Sequence, residues 1–134
     1  MLFKDAANYK SNQKNIGTIK SSNLCTEILE VTAHDQTAVC NLGSINLSSF
    51  VKSNGEFDFD HLMKVTATAV RFLDRVVDLN FYPTAEAKNS NYRWRPVGLG
   101  IMGLQDVLFK KRIPFSSPEA KVLSSQISEA IYYQ

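Results

Sequence analysis

Asn23-Leu24-Cys25-Thr26-Glu27 is the densest run of reactive side chains in the sequence. In an extended chain successive side chains alternate, so Asn23, Cys25 and Glu27 point to one side and Leu24 and Thr26 to the other. An amide, a thiol and a carboxyl then form one row with steps of about 7 Å. Such a row has the means to orient a hydroxylated substrate, act on it with sulfur and move a proton. The plain alternative is a buried cysteine between solvated polar residues. Cys40, in Ala38-Val39-Cys40-Asn41-Leu42, also has two readings. It is either a small core thiol or a redox cysteine whose partner is Cys25 or a thiol outside the chain.

Gly98-Leu99-Gly100-Ile101-Met102-Gly103 is a literal GxGxxG, the pattern of a dinucleotide site. Its context argues against that use. Pro96 falls where a central strand should precede the glycines, and the acid about 20 positions on, Glu119, follows Pro118 at a helix start and does not end a second strand. Glycines that let a helix pack on a strand are the better explanation. His34 and His61 are isolated, and Tyr132 and Tyr133 read as core and rim residues of the last helix.

The elements that must position these residues follow from periodicity. Residues 1–22 are polar, with Asn8, Asn12, Asn15 and Gly17 as turn formers, and read as a loop with one helical turn at its start. Residues 22–31 and 37–42 read as two short extended segments around a turn at 33–36. Asp58 or Asp60 can cap a long amphipathic helix whose apolar stripe is Leu62, Val65, Ala69, Phe72, Leu73, Val76 and Leu79, ending before Pro83. An Asn/Ser-rich connection (Asn89-Ser90-Asn91), a short 95–97 segment and a glycine-rich turn follow. A helix over 104–111 and a last helix from Glu119 complete the chain.

With 134 residues, 44% of them hydrophobic and 21% charged, the chain matches one soluble globular domain and excludes collagenous and wholly disordered classes. Fifteen Lys and Arg against 13 Asp and Glu leave a net charge of +2, too little for a dedicated nucleic-acid or membrane-surface binder. No apolar run approaches the ~20 residues of a membrane span. The start, Met1-Leu2-Phe3-Lys4-Asp5, carries no secretory pattern, so a reducing cytoplasm is the expected compartment. Two cysteines without a CxxC or a histidine cluster cannot build a structural zinc site, and no metal is expected.

Taken together, residues 10–15 (KSNQKN), 17–20 (GTIK), 22–27 (SNLCTE), 38–42 (AVCNL), 78–83 (DLNFYP), 95–100 (RPVGLG) and 117–120 (SPEA) resemble, in order, the large catalytic subunit of class I ribonucleoside-diphosphate reductases. The likeness spans essentially the whole chain and is strongest to the eukaryotic and viral form. It implies an α/β fold, residues 1–134 being a central part of the family's ten-stranded α/β barrel domain. It also implies reduction of a ribonucleoside diphosphate at the 2′-carbon. Cys25 matches the thiol that becomes a thiyl radical and removes the 3′-hydrogen. Glu27 matches the carboxylate that takes the 3′-hydroxyl proton, and Asn23 the amide that binds the ribose hydroxyls, with Ser22 beside them on the substrate. Cys40 matches one of two cysteines that deliver the reducing electrons and end as a disulfide. GLGIMG falls in a structural strand-to-helix turn, and Tyr132-Tyr133 are not the family's radical-relay tyrosines.

The same resemblance implies that the segment binds no cofactor itself. The radical comes from a metal-containing small subunit, and ATP or dNTP effectors bind regions beyond this sequence. The expected partners are the remaining parts of the large subunit, the small subunit, the nucleotide substrate and a thioredoxin or glutaredoxin. Met1 aligns with an internal position, and the last helix is still in phase at Gln134, so the chain reads as a central slice from a truncated or split frame. The competing reading is a non-catalytic piece that acts only by assembling with its complement.

Overall fold

In a computed structural model of the chain the structure describes residues 3–134. They form a mixed α/β arrangement of five α-helices, one 3-10 turn and a two-stranded, unclosed sheet. The chain divides into two compact units, residues 1–41 with 74–97, and residues 42–73 with 98–134.

The second unit holds the main core. Strand β1 (Asn41–Asn46) pairs with β2 (Val97–Met102), and a 3-10 turn (Leu47–Phe50) leads on toward α2 (Phe59–Leu79). Ile45, Leu47, Phe50 and Leu62 pack with Val107 and Leu108 of α4 (Leu104–Lys111) and with Leu123 and Ile127 of α5 (Pro118–Tyr133). Burying each such side chain contributes roughly 1.5–3 kcal/mol, so this cluster is what makes the unit cohere. Asp58 is the residue that caps α2: its carboxylate accepts from the His61 N–H at 3.0 Å, and its carbonyl from Leu62 N–H. That bond, with Lys52 at 3.2 Å, holds the Asp58 carboxyl below the usual carboxylate range. Ser117 caps α5 by accepting from Ala120 N–H, with Pro118 at the first helical position where its missing donor costs nothing.

Four expectations need correction. The stripe of α2 is in phase at Leu62, Val65, Ala69 and Leu73, but Phe72, Val76 and Leu79 are exposed, and Thr66 and Val77 are buried instead. Thr66 tolerates burial because its hydroxyl donates to the Leu62 carbonyl at 2.9 Å. Asn89-Ser90-Asn91 is no connection but the middle of α3 (Ala85–Trp94), which Thr84 opens by accepting from Ala87 N–H. The glycine-rich stretch is mostly strand: Gly98 and Gly100 lie inside β2, and only Gly103 sits in the turn into α4. Two of the three glycines therefore spend their backbone on sheet pairing, which leaves no loop of free N–H groups to cradle a phosphate. Tyr132 and Tyr133 are exposed on α5 and belong to no core.

The first unit has little regular structure outside its helices. Helix α1 (Lys4–Lys10) is longer than the single turn expected for residues 1–22, of which the first two lie outside the described residues. Seven residues are too few for a self-supporting helix, and Asn8 ties this one down. Its side chain accepts from Ile19 N–H at 2.7 Å and donates to the Ile19 carbonyl at 2.9 Å. At its other end α3 stops on Arg95 in the left-handed region (φ 49°), whose guanidinium bonds Asp74 and, through both terminal nitrogens, Asp78. Asp78 is thereby held below the usual carboxylate range.

Gly103 (φ 75°) and Gly55 (φ 84°) both need a left-handed backbone, but a Cβ at Gly103 would stand 2.8 Å from Asn46 Oδ1, and one at Gly55 would meet nothing within 4 Å. Gly55→Ala carries only the conformational cost, about 1 kcal/mol, and Gly103→Ala carries that plus displacement of the Asn46 cap, about 2–3 kcal/mol. Urea denaturation of the two variants is expected to give midpoints in that order.

Candidate functional site

The reactive stretch is not extended. The chain turns over residues 24–26, with Thr26 N–H bonded to the Asn23 carbonyl at 3.2 Å and Thr26 in the left-handed region at φ 68°. A β-branched residue there is strained by roughly 1–2 kcal/mol, and the neighbouring bonds must hold it. Asn23 does most of this: its Nδ2 donates to Glu27 Oε1 at 2.6 Å and its Oδ1 accepts from Ile28 N–H at 3.1 Å. The alternating row predicted from sequence is replaced by a closed turn. Asn23 and Glu27 meet across it, and Cys25 stands exposed at its tip. Leu24 is also exposed, at 96%. Ser22 Oγ donates to the Asn23 carbonyl at 3.0 Å, bracing the entrance to the turn.

A cavity of about 380 Å³ opens beside this turn, with Lys20, Ser22, Asn23, Glu30 and Thr32 on its wall. Ser22 and Asn23 thus share one concavity, and Cys25 and Glu27 are not among its lining residues. Cys40 is half-buried and immediately precedes β1, so it sits at the strand's entrance and not within it. Its thiol donates to the Asn41 carbonyl at 3.9 Å. Burial, then the Glu30 carboxyl and the Glu27 charge, push the Cys40 thiol up to about 11. Burial likewise raises Glu30 above the usual carboxylate range, with the Cys40 thiol opposing the rise. Both cysteines are free thiols. Among the described residues no three His, Cys, Asp or Glu side chains gather as a metal site, and no helix is long and apolar enough to cross a membrane.

Helix α3 holds the turn that links the two cysteine segments. Asn89 Nδ2 donates to the Asp35 carbonyl at 3.0 Å, Trp94 Nε1 donates to Gln36 Oε1 at 2.6 Å, and Thr37 N–H bonds the Glu86 carbonyl at 3.2 Å. The turn itself closes through the Ala33 and Gln36 pair, leaving His34 in solvent. Sequence reasoning passed over Glu30, Asn89 and Trp94. A signal existed for Glu30, a carboxyl set between Leu29 and Val31 in an apolar run, since such a group is seldom buried without a partner. None existed for Trp94, whose partner is 58 positions away.

Chemically, the site offers an exposed thiol at a braced turn, a carboxylate oriented by an amide, and a second thiol kept protonated by burial and by acidic charges. The family model described as ribonucleotide reductase, barrel domain, matches residues 1–134. The chain is similar to the ribonucleoside-diphosphate reductase large subunit of Danio rerio, 54% identical over 99% of this chain and 17% of that protein. It is 58% identical to the large subunit of Trypanosoma brucei brucei over 98% of this chain and 16% of the relative. The large chain of Neurospora crassa is 54% identical over 99% of this chain and 14% of its own length. This chain thus spans about a sixth of the length of the relatives it matches. With the family match running over all 134 residues and more than half of the positions identical in these relatives, the chain belongs to the ribonucleotide reductase barrel-domain family.

Proposed function

We propose that this chain supplies the radical-bearing part of the active site of a class I ribonucleoside-diphosphate reductase large subunit, within its ten-stranded α/β barrel. The observation that carries this reading is the Asn23–Glu27 bond of 2.6 Å closing a turn with Cys25 at its tip, inside a chain so similar to large subunits. The assigned roles follow from the chemistry of each group. Cys25, as a thiyl radical, removes the ribose 3′-hydrogen, a homolytic step no acid or base can perform. Glu27, already accepting a hydrogen bond from Asn23, accepts the 3′-hydroxyl proton. Asn23 and Ser22 bind the sugar from the rim of the adjoining cavity. Cys40 and a second cysteine supply two electrons as they become a disulfide, and the 2′-hydroxyl leaves as water.

The chain has two cysteines in all, Cys25 and Cys40. With Cys25 committed to the radical, the disulfide partner of Cys40 must come from the rest of the large subunit. The remaining partners proposed are a metal-containing small subunit that generates the radical, a dithiol protein such as thioredoxin or glutaredoxin, and ATP or dNTP effectors bound elsewhere. This segment is assigned no cofactor of its own, and the cytoplasm is its proposed compartment.

The test uses the complete large subunit carrying these residues, with its small subunit and a dithiol reductant, and measures deoxyribonucleotide formation. Cys25→Ser is expected to reduce turnover to background, because a serine O–H bond is too strong to be converted to the needed radical. Cys40→Ser is expected to leave 3′-hydrogen abstraction intact while blocking clean reduction of the sugar. Full turnover of the Cys25→Ser enzyme overturns the reading. The 134-residue chain by itself, lacking the third thiol, is expected to form no deoxyribonucleotide under the same assay.

A further inference from the structure

Trp94 is the single tryptophan of the chain and takes no part in the roles assigned above. Its indole has one donor and no acceptor, and that donor is committed: Nε1 donates to Gln36 Oε1 at 2.6 Å, from 58 positions away. Gln36 is also the residue that closes the turn. Its carbonyl accepts from Ala33 N–H at 2.9 Å, and its N–H donates to the Ala33 carbonyl at 3.3 Å. One glutamine therefore joins the closure of the turn to helix α3. The Asn89 and Glu86 bonds to Asp35 and Thr37 each end on backbone, whereas Trp94 and Gln36 meet side chain to side chain.

The donor end is as firmly fixed as the acceptor end. Arg95, next in the chain, ends α3 in the left-handed region, and its guanidinium bonds Asp74 at 2.8 Å and Asp78 at 2.8 and 3.0 Å. Arg93, the residue before, lies over the indole at 4.7 Å from the ring centroid. From Thr37, the last residue that α3 ties, the chain reaches Cys40 within at most about 11 Å. Ala38 N–H is bonded on the way to Thr32 Oγ1 at 3.2 Å. With so little slack, the place of the turn decides how deeply Cys40 is set. Cys40 is half-buried, and burial is the largest cause of its raised ionisation, ahead of the Glu30 and Glu27 charges. The charged groups of the turn itself, His34 and Asp35, pair with each other at 3.8 Å.

We propose that the Trp94–Gln36 bond is the positioning contact for Cys40, holding that cysteine at its half-buried depth from helix α3. Its meaning for catalysis rests on Cys40 being a reducing cysteine. Trp94 acts through Gln36 and the turn, not on the sulfur itself. Breaking the bond frees the turn, lets Cys40 move toward water and relieves the burial that opposes its ionisation.

The test uses the 134-residue chain and reads thiol chemistry alone, so its failure leaves the proposed reductase function standing and loss of that function leaves this result intact. Alkylation of Cys40 by iodoacetamide is followed by peptide mass spectrometry as a function of pH, with the exposed Cys25 as internal reference. Trp94→Phe keeps an aromatic ring and removes the N–H. It is expected to raise the Cys40 rate about fivefold relative to Cys25, the weight of one ordinary hydrogen bond in an opening equilibrium. The midpoint of the Cys40 profile is expected to move down from about 11 toward the ordinary thiol value. Gln36→Leu is expected to do the same, and Gln36→Glu, which keeps an acceptor, to stay near the native rate. The double variant Trp94→Phe/Gln36→Leu is expected to react no faster than either single one, because both remove the same bond. Gly55→Ala, which weakens the second unit and not this turn, is expected to leave Cys40 unchanged, separating positioning from a general loss of stability. Should Trp94→Phe fail to fold, Gln36→Leu against Gln36→Glu carries the comparison. An unchanged Cys40 rate on loss of the bond, additive effects in the double variant, or the same rise in Gly55→Ala each overturns the proposal.

Discussion

Buried or half-buried backbone groups must find partners, and between α1 and β1 this chain has almost no ladder to provide them. Side chains take the ladder's place. Asn8 bonds both the N–H and the carbonyl of Ile19, the pair of bonds a neighbouring strand would make. Ser11 Oγ donates to the Leu29 carbonyl, and Gln13 Oε1 accepts from Val31 N–H. Gly17 completes the arrangement, because a Cβ there would stand 2.7 Å from Val31 Cγ1. The residues before the reactive turn therefore hold the residues after it. The turn of Asn23 to Glu27 is suspended between Ile19, buried at 1% exposure, and the Leu29 and Val31 anchors.

That suspension explains how a strained residue persists at the site. Thr26 at φ 68° costs what a glycine would not, and the cost is met by the bonds Asn23 makes across it to Glu27 and Ile28. The same bonds fix the Glu27 carboxylate before any substrate arrives. A carboxylate already oriented loses less entropy when it engages a proton than one on a free side chain, so strain and pre-organisation are here two results of one turn.

Long, capped helices were legible. The stripe from Leu62 predicted α2, the 104–111 helix is observed with the expected bounds, and the last helix, expected from Glu119, begins one residue earlier at Pro118. What escaped was governed by partners distant in sequence. Asn89-Ser90-Asn91 has loop composition, but Asn91 is buried and bonded to the Tyr82 hydroxyl, and Asn89 reaches Asp35, so tertiary contacts override weak propensity. Gly98 and Gly100 have turn composition and lie in a strand because β1 is there to pair with them. In the reactive turn the sequence suggested a mistaken geometry. Alternation along a strand would have placed Asn23 and Glu27 about 13 Å apart, and a four-residue turn places their side chains in contact.

The two thiols differ in the way their proposed tasks require. Cys25 is exposed at a turn whose acid is bonded to Asn23. Cys40 is half-buried, and burial together with the Glu30 and Glu27 charges opposes its ionisation. A nucleophilic cysteine is made by positive neighbours that stabilise the thiolate, and Cys40 has the reverse. Its surroundings keep hydrogen on sulfur at neutral pH, which suits the reducing role proposed for it. Helix α3 enters this balance indirectly, because Asn89, Trp94 and the Glu86 carbonyl fix the turn at 33–37 from which the chain runs to Cys40. A shift of that turn would move Cys40 out of the half-buried position that keeps its thiol protonated.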